Sequence, residues 1–285
     1  MQIAFLGVGY MGYGMALNLM KSGHSLRVIA HRNRGRIEKL VAQGASECSV
    51  YDQLLNETEA VISCVGTAEQ MEAIAKQAEA YLKAGTLWID CTTSRLDITL
   101  AIAAQFKKIG VGFIDAPVTR GPKDAEAGNL ISFVGAEKAV FERARPLIEC
   151  YSESVTHLGP VGSGLRVKLI NNFITMGQVA LVIEAMQAAD RAGIDRRSLF
   201  EILVQGAAKS GTLLKMMSPA LQGDFSGHAF SLQNAAKDVA YGRQLLKHSK
   251  TGTLLGETLS NYYSLKLENN PPDLLLSELL RPEKT

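Results

Sequence analysis

The sequence predicts an α/β fold in which a doubly wound, mainly parallel sheet is followed by an all-α domain. Strand-like and helix-like apolar patterns alternate up to about residue 158, as they do in chains that build parallel sheets. After Pro160 this alternation gives way to helical periodicity. The first helical stretch, 163–192, is long enough to join the two parts. We therefore expect domains at 1–162 and 163–285 and a long interdomain helix between them.

The predicted strands of the first part are short apolar runs bounded by turn residues, which is typical of buried parallel strands. They cover 2–8, 26–31, 60–65, 86–92, 112–117, 129–135 and 154–159. The segments between them have helical periodicity, and several stop at a glycine. These helices cover 14–24, 34–45, 69–85, 96–110 and 136–150.

The second part contains five further predicted helices, which cover 196–207, 212–223, 232–249, 254–269 and 273–280. Two of its segments, 181–193 and 273–280, have apolar faces that would pack well on a second copy of the chain. We therefore predict a homo-oligomer, a dimer or a tetramer, and the sequence does not fix the number.

Composition limits the classes of partner. The net charge is +2, which is too small to indicate nucleic acid or an anionic membrane. We see no apolar run that approaches the ~20 residues needed to cross a bilayer, and no signal-peptide pattern at the amino terminus. The cysteines, at 48, 64, 91 and 150, lack the spacing of zinc ligands. We expect a cytoplasmic protein with free thiols and no metal site.

The segment GVGYMG, residues 7–12, follows the first strand and opens the first helix. In this context a G-x-G-x-x-G pattern predicts a dinucleotide site of the Rossmann type. Gly7 permits the tight turn, Gly9 lets the backbone approach a pyrophosphate, and Gly12 allows close contact between helix and strand. Tyr10 and Met11 would lie at the helix amino terminus, where the pyrophosphate binds.

The end of the second predicted strand indicates which dinucleotide binds. NAD sites place an acidic residue there to accept from the ribose 2′-hydroxyl, but no acidic residue occurs between Arg27 and Ile37. Arginines stand at 32, 34 and 36 instead, and guanidinium groups suit a 2′-phosphate. We predict NADP rather than NAD, with Arg32 as the main contact and His31, Asn33 or Arg34 beside it. A solvated helix start would also explain these charges.

Four motifs in order resemble the β-hydroxyacid dehydrogenase family, which includes 3-hydroxyisobutyrate dehydrogenase, sulfolactaldehyde reductase and NADPH-dependent glyoxylate/succinic semialdehyde reductases. They are the nucleotide segment FLGVGYMGYGMALNL, the substrate segment DAPVTRGPKDAEAGNL, the helix segment GLRVKLINN and the late segment FSLQNAAKDVAYG. The resemblance covers nearly all of the chain. It implies a Rossmann-type domain, a long interdomain helix and a helical domain, with the active site in the cleft between the domains.

The resemblance also implies residue roles. Lys168 matches the catalytic lysine and Asn172 the asparagine that binds substrate. The other matches are Asn171 and Thr119-Arg120-Gly121 at the substrate, Val65-Gly66-Thr67 and Thr93 at the nicotinamide ribose, and the pair Lys237-Asp238, with Lys237 near the cofactor or substrate.

The chemistry of Lys168 and Asn172 supports this assignment. At a spacing of i, i+4 they share one face of a helix with Gly164. A positioned ammonium can polarise a carbonyl oxygen and donate its proton, while a nicotinamide supplies the hydride. Burial or cationic neighbours would lower the lysine pKa toward neutrality. The structural alternative is a lysine that snorkels from a core helix.

Arg120 departs from the family pattern, which has glycine at that position. Arginine occurs there in sulfolactaldehyde reductase, and a guanidinium can hold a sulfonate, phosphate or carboxylate. The sequence therefore predicts a small anionic aldehyde as substrate, unless Arg120 simply faces outward. Two other functions stay open: an imine reductase on the same fold, against which Lys168 argues, and a non-catalytic NADPH-binding protein. The sequence does not decide the exact substrate or the physiological direction.

Overall fold

The computed structural model describes residues 1–30, 34–246 and 254–282. Its first part contains nine strands, namely β1 (Gln2–Leu6), β2 (Ser25–Ile29), β3 (Ser46–Cys48), β4 (Ala60–Ser63), β5 (Leu87–Asp90), β6 (Gly112–Asp115), β7 (Val118–Thr119), β8 (Leu130–Val134) and β9 (Ser152–His157). The helices between them are α1 (Tyr10–Lys21), α2 (Arg34–Val41), α3 (Tyr51–Leu55), α4 (Ala68–Ala78), α5 (Leu96–Lys108), α6 (Pro122–Ala127) and α7 (Lys138–Glu149).

The strands form two sheets. Six strands, all paired in parallel, have the order β3-β2-β1-β4-β5-β6. The chain reverses its direction of winding between β1 and β4, and ligands of such sheets bind beyond the carboxyl ends of the strands at that point. The strands β7, β8 and β9 make a separate three-stranded sheet, to which the predicted strands 129–135 and 154–159 belong.

The remaining described elements are helical: α8 (Ser163–Arg191), α9 (Arg196–Leu203), α10 (Gly211–Ala220), α11 (Leu232–Leu246), α12 (Leu254–Glu268) and short 3-10 helices at Glu79–Tyr81 and Leu276–Leu280. The last of these replaces the α-helix that we predict at 273–280. Together with the parallel sheet, this arrangement confirms the predicted fold class. The four cysteines are free; Cys48 and Cys91 are buried, and Cys64 and Cys150 are half-buried.

The described chain divides into two compact units, Met1–Lys168 and Leu169–Thr285, so the division falls inside α8. Each unit has its own apolar core. The first centres on the strands around Phe5 and Ile89. The second centres on Met216 and Tyr263, whose hydroxyl donates to the carbonyl of Met176 over 2.8 Å. Burial of these side chains is the main source of each unit's stability.

Helix α8 is long and apolar enough to cross a bilayer by length and composition alone, contrary to our expectation that no run reaches that length. Because 44% of its most apolar window is buried within the protein, the same profile describes an ordinary core helix. The finding is weak support for a membrane segment.

The start of α8 is attached to the end of β6 by a buried carboxylate. Asp115 accepts from the backbone N–H groups of Gly162 and Leu165, over 2.6 and 2.7 Å. The fit is close, because a Cβ on Gly164 would lie 2.2 Å from the carbonyl oxygen of Phe133. These contacts fix the first turn of the helix that carries Lys168.

Burial raises the pKa of Asp115 to about 7, although the two backbone donors oppose this shift. A carboxyl group whose pKa is higher in the folded state stabilises the fold below its unfolded pKa of about 4 and loses that contribution as the pH rises toward 7. We therefore expect the free energy of unfolding to fall across this range, and to fall less in Asp115→Asn. Urea denaturation at several pH values measures the effect.

Asp97→Asn serves as the control for that experiment, because the hydrogen bond from Arg95 lowers the pKa of this exposed carboxyl. Burial also raises the pKa of Asp90, to about 6, so part of the slope should persist in Asp115→Asn. An unchanged slope would show that Asp115 does not titrate in this range.

Candidate functional site

The turn between β1 and α1 has the shape that a dinucleotide requires. Gly7 has a φ of 95°, and a Cβ there would lie 2.2 Å from the carbonyl oxygen of Cys64. A Cβ on Gly12 would lie 2.1 Å from the carbonyl oxygen of Gly7. At Gly9, by contrast, nothing lies within 4 Å of the Cβ position. Gly7 and Gly12 therefore allow close packing, whereas Gly9 borders open space.

The amino terminus of α1 is left available for an anion. Gly9 caps the helix without a side-chain hydrogen bond, and the first turn has no acidic residue. Unpaired N–H groups and the positive end of the helix dipole favour a phosphate at such a position. Tyr10 is 71% exposed, and Met11 is half-buried. These residues fit a dinucleotide pyrophosphate.

The loops after β4 and β5, where we predict contacts to the nicotinamide ribose, lie beside this turn. The N–H of Cys64 donates to the carbonyl of Leu6 over 2.8 Å, which joins the ends of β4 and β1. The N–H of Val65 donates to the hydroxyl of Thr92 over 3.1 Å. Gly66 is exposed, and Thr67 and Thr93 are half-buried. The structure thus brings 65–67 and Thr93 together at the carboxyl edge of the sheet.

Hydrogen bonds at Thr67 and Thr92 support these loops. The hydroxyl of Thr67 caps α4 by accepting from the N–H of Gln70 over 3.2 Å. The N–H of Thr92 donates to the carboxylate of Asp90, which also accepts from Ser63 over 2.9 Å. Our sequence reasoning missed Thr92 and Asp90 as supports, although a polar residue at the end of a buried strand is a usable signal.

The arginine cluster divides into groups with different surroundings. His31, Arg32 and Asn33 lie outside the described residues. Arg34 makes a bidentate pair with Glu47 over 3.0 and 3.1 Å and approaches Glu38 at 3.5 Å. The guanidinium of Arg36 lies over the ring of Tyr10, 3.9 Å from its centroid. This cation–π contact places one positive charge beside the first residue of α1.

The predicted substrate loop, 119–121, connects β7 to α6 within the first unit. Thr119 ends β7, which pairs with β8, and Gly121 caps α6. Helix α6 packs on α1 so closely that a Cβ on Gly14 would lie 2.4 Å from the backbone nitrogen of Glu126. Asn18 reinforces the contact by donating to the carbonyls of Ala125 and Glu126, over 2.8 and 3.2 Å. The loop is therefore tied to the nucleotide-binding helix.

Arg120, in the middle of this loop, pairs with other protein groups, whereas its predicted role is to bind an anionic substrate. Its guanidinium donates to the carbonyl of Asn129 and to the carboxylate of Glu153. The role of Arg120 as a substrate contact stays a prediction, and its charge already has a partner within the first unit.

Lys168 and Asn172 lie one turn apart on α8 and are both buried, with 9% and 5% of their surface exposed. Asn172 donates to the carboxylate of Asp238 over 2.7 Å, and Asn171 donates to the side-chain oxygen of Asn172 over 3.2 Å. Lys237 lies 2.6 Å from the other oxygen of Asp238. The helical unit thus joins Asn171, Asn172 and the late Lys-Asp pair in one polar network.

This network orients Asn172. Since Asp238 holds the amide NH₂ group, the orientation of the side chain is defined and its oxygen accepts from Asn171. Asp238 is only 3% exposed, and a buried carboxylate needs such donors to offset its desolvation. A buried lysine and a fixed amide on one helix can bind a carbonyl oxygen and supply a proton. Among the described residues no group of three or more His, Cys, Asp or Glu side chains could hold a metal ion.

Comparisons with known proteins agree with this geometry. Residues 2–159 match the family model for the NAD binding domain of 6-phosphogluconate dehydrogenase. Residues 162–282 match the model described as NAD-binding of NADP-dependent 3-hydroxyisobutyrate dehydrogenase.

Curated relatives extend over nearly the whole chain. The 3-hydroxyisobutyrate dehydrogenase of Pseudomonas aeruginosa is 31% identical, over 92% of this chain and 91% of its own. The NAD-dependent L-serine dehydrogenase of the same organism is 30% identical, over 94% and 92%. The structure of Mycobacterium tuberculosis 3-hydroxyisobutyrate dehydrogenase with L-serine is similar at a TM-score of 0.87 and 26% identity, and the match covers 98% of this chain and 97% of that chain.

The dinucleotide turn, the lysine–asparagine helix and these full-length matches lead to one assignment. The chain belongs to the β-hydroxyacid dehydrogenase family of NAD(P)-dependent enzymes.

Proposed function

We propose that this protein is an NADP-dependent oxidoreductase that interconverts a small anionic aldehyde, a carboxylated or sulfonated semialdehyde, and the corresponding β-hydroxyacid. The observation that carries the proposal is the polar face of α8, where Lys168 and Asn172 are buried and Asp238 holds Asn172 in one orientation. Burying an ammonium and an amide costs free energy, and a role in substrate binding and proton transfer would account for that cost.

Each residue has a role in the proposed reaction. The bound nicotinamide supplies or accepts the hydride. Lys168 binds the carbonyl oxygen and donates its proton during reduction, or takes it back during oxidation. Asn172 fixes the substrate beside this ammonium, and Asp238 orients Asn172. Thr119 and Gly121 shape the loop that receives the rest of the substrate.

An NADPH-oxidation assay tests the proposal directly. The panel holds short aldehydes with carboxylate or sulfonate tails, such as succinic semialdehyde, and each is repeated with NADH. We expect turnover with anionic aldehydes and a higher kcat/KM with NADPH. If the protein binds NADPH and reduces none of the panel, the proposed reaction is wrong.

The proposed preference for NADP rests on the arginines after β2. The names of the relatives do not decide it, since one is called NAD-dependent. Arg36 beside Tyr10 supports a cationic pocket next to the nucleotide turn. We expect Arg32→Ala to raise the KM for NADPH roughly 10- to 100-fold, the range of a lost hydrogen bond to a charged group, and to leave the KM for NADH unchanged.

Arg34→Ala is the matched control, because Glu47 and Glu38 already pair with this guanidinium. We expect it to change the KM for NADPH little. Equal kcat/KM for NADH and NADPH in the wild-type enzyme would contradict the NADP assignment, whatever the variants do.

A further inference from the structure

Arg120 has an unusual backbone conformation for its residue type. Its φ is 84°, in the left-handed region that glycine adopts freely and other residues rarely adopt. Residues stay in such conformations only where the surrounding structure holds them, and they cluster at ligand sites. The side-chain contacts of Arg120 are one such restraint on the loop.

Those contacts join the three strands of the second sheet. One terminal nitrogen of Arg120 donates to the carbonyl of Asn129, just before β8, over 2.6 Å. The other donates to Glu153, on β9, over 2.5 Å. Since Arg120 itself follows β7, its side chain spans β8 from one edge of the sheet to the other. The pair is half-exposed, with 34% and 46% of the two side chains accessible.

Glu153 reaches this position because β9 is irregular there. Leu130 pairs with Ser152 and Ile131 pairs with Ser154, so Glu153 is an extra residue with no partner in the register. A β-bulge of this kind redirects a side chain and is common next to active sites. The irregularity thus lies at the residue whose carboxylate meets Arg120.

We propose that Glu153 is a positioning and specificity-determining residue: it holds Arg120 against the second sheet, and an anionic substrate tail must compete with it for the guanidinium. This inference rests on the proposed function, because it concerns the loop that would receive the substrate. The wild-type loop then offers a partly neutralised cation, and its preference for anionic aldehydes is weaker than Arg120 alone would give.

Glu153→Gln tests the proposal, because the amide oxygen can still accept from Arg120 but has no charge. With NADPH, we expect the KM for succinic semialdehyde to fall about two- to five-fold, the range of a half-exposed ion pair. The KM for its methyl ester, which has no charge, should not change, and neither should kcat. The effect should vanish in an Arg120→Gly background, where glycine fits the backbone.

Glu149→Gln is the matched control. Glu149 pairs with Arg145 over 2.7 Å on α7 and is also 46% exposed. It should leave both KM values as they are. Equal changes in both KM values for Glu153→Gln, or no change in either, would overturn the proposal, since a purely structural role would not separate the two substrates.

A sulfate titration tests the role of Glu153 even if neither succinic semialdehyde nor its methyl ester is turned over. A failure of the proposed function can therefore be distinguished from a failure of this inference. Low millimolar sulfate should raise the Tm of Glu153→Gln more than that of the wild-type protein or Glu149→Gln, because the guanidinium no longer faces a carboxylate and binds the anion more tightly in the folded state. The additional shift should be absent from the double variant Arg120→Gly/Glu153→Gln. Identical sulfate responses in all four proteins would overturn the role of Glu153.

Discussion

Replacing Lys168 with alanine is expected to lower kcat/KM for aldehyde reduction by roughly 100- to 10,000-fold, the contribution of a positioned proton donor. The Kd for NADPH should stay close to that of the wild-type protein, because the dinucleotide turn around Gly9 belongs to other elements of the chain. Steady-state kinetics and a fluorescence titration with NADPH separate the two effects. This pair of results would distinguish an enzyme from a non-catalytic NADPH-binding protein.

Two further variants test whether Lys168 acts as the proton donor. Lys168→Arg keeps a positive charge but cannot release a proton at neutral pH, so its activity should stay low if proton donation is the role. Lys138→Ala removes an exposed lysine and should change neither kcat/KM for aldehyde reduction nor the Kd for NADPH. Near-normal turnover in Lys168→Ala would mean that another group supplies the proton.

The second large effect concerns the glycines of the nucleotide turn. In Gly9→Ala the new Cβ meets no protein atom within 4 Å, and the φ of −84° suits alanine. We expect a Tm close to that of the wild-type protein and a Kd for NADPH raised at least about tenfold, which corresponds to 1.4 kcal/mol. The reason is that the methyl group enters the space that a pyrophosphate needs.

Gly12→Ala provides the contrasting result. Its Cβ would lie 2.1 Å from the carbonyl oxygen of Gly7 and 2.9 Å from the ring of Phe5. Helix α1 must move away from β1, and such overpacking typically costs about 1–3 kcal/mol or more. Thermal unfolding should therefore show a lower Tm in Gly12→Ala but not in Gly9→Ala. Normal NADPH binding by Gly9→Ala would show that the dinucleotide does not approach this turn.

Most of the fold was predictable because periodicity is a local property. Five of the six parallel strands of the large sheet, and the helix predicted at 163–192, follow from apolar patterns that neighbouring residues establish together. The elements that we missed are short, namely β3, α3, β7 and α6. Each has too few residues for a period to show, and each depends on a partner element for its hydrogen bonds or packing.

The local geometry of the candidate site was also predictable, while the roles of its residues stay predictions. Gly7, Gly9 and Gly12 lie in one turn, and Lys168 and Asn172 are one helical turn apart. In both groups, residues that are close in the sequence are also close in the structure. The surroundings of Arg120, by contrast, could not be predicted from the sequence. The residue that pairs with it, Glu153, lies 33 positions away at an irregularity that no sequence pattern indicates.

The amino-acid sequence by itself determined the alternation of strand and helix, the nucleotide turn and the polar face of one helix, because these features involve residues that are neighbours along the chain. Only the tertiary structure decided which groups support them. Asp238 reaches Asn172 across 66 residues and Asp115 reaches Gly162 across 47. Burial then makes each of those hydrogen bonds necessary, since a polar group without water or a partner costs free energy.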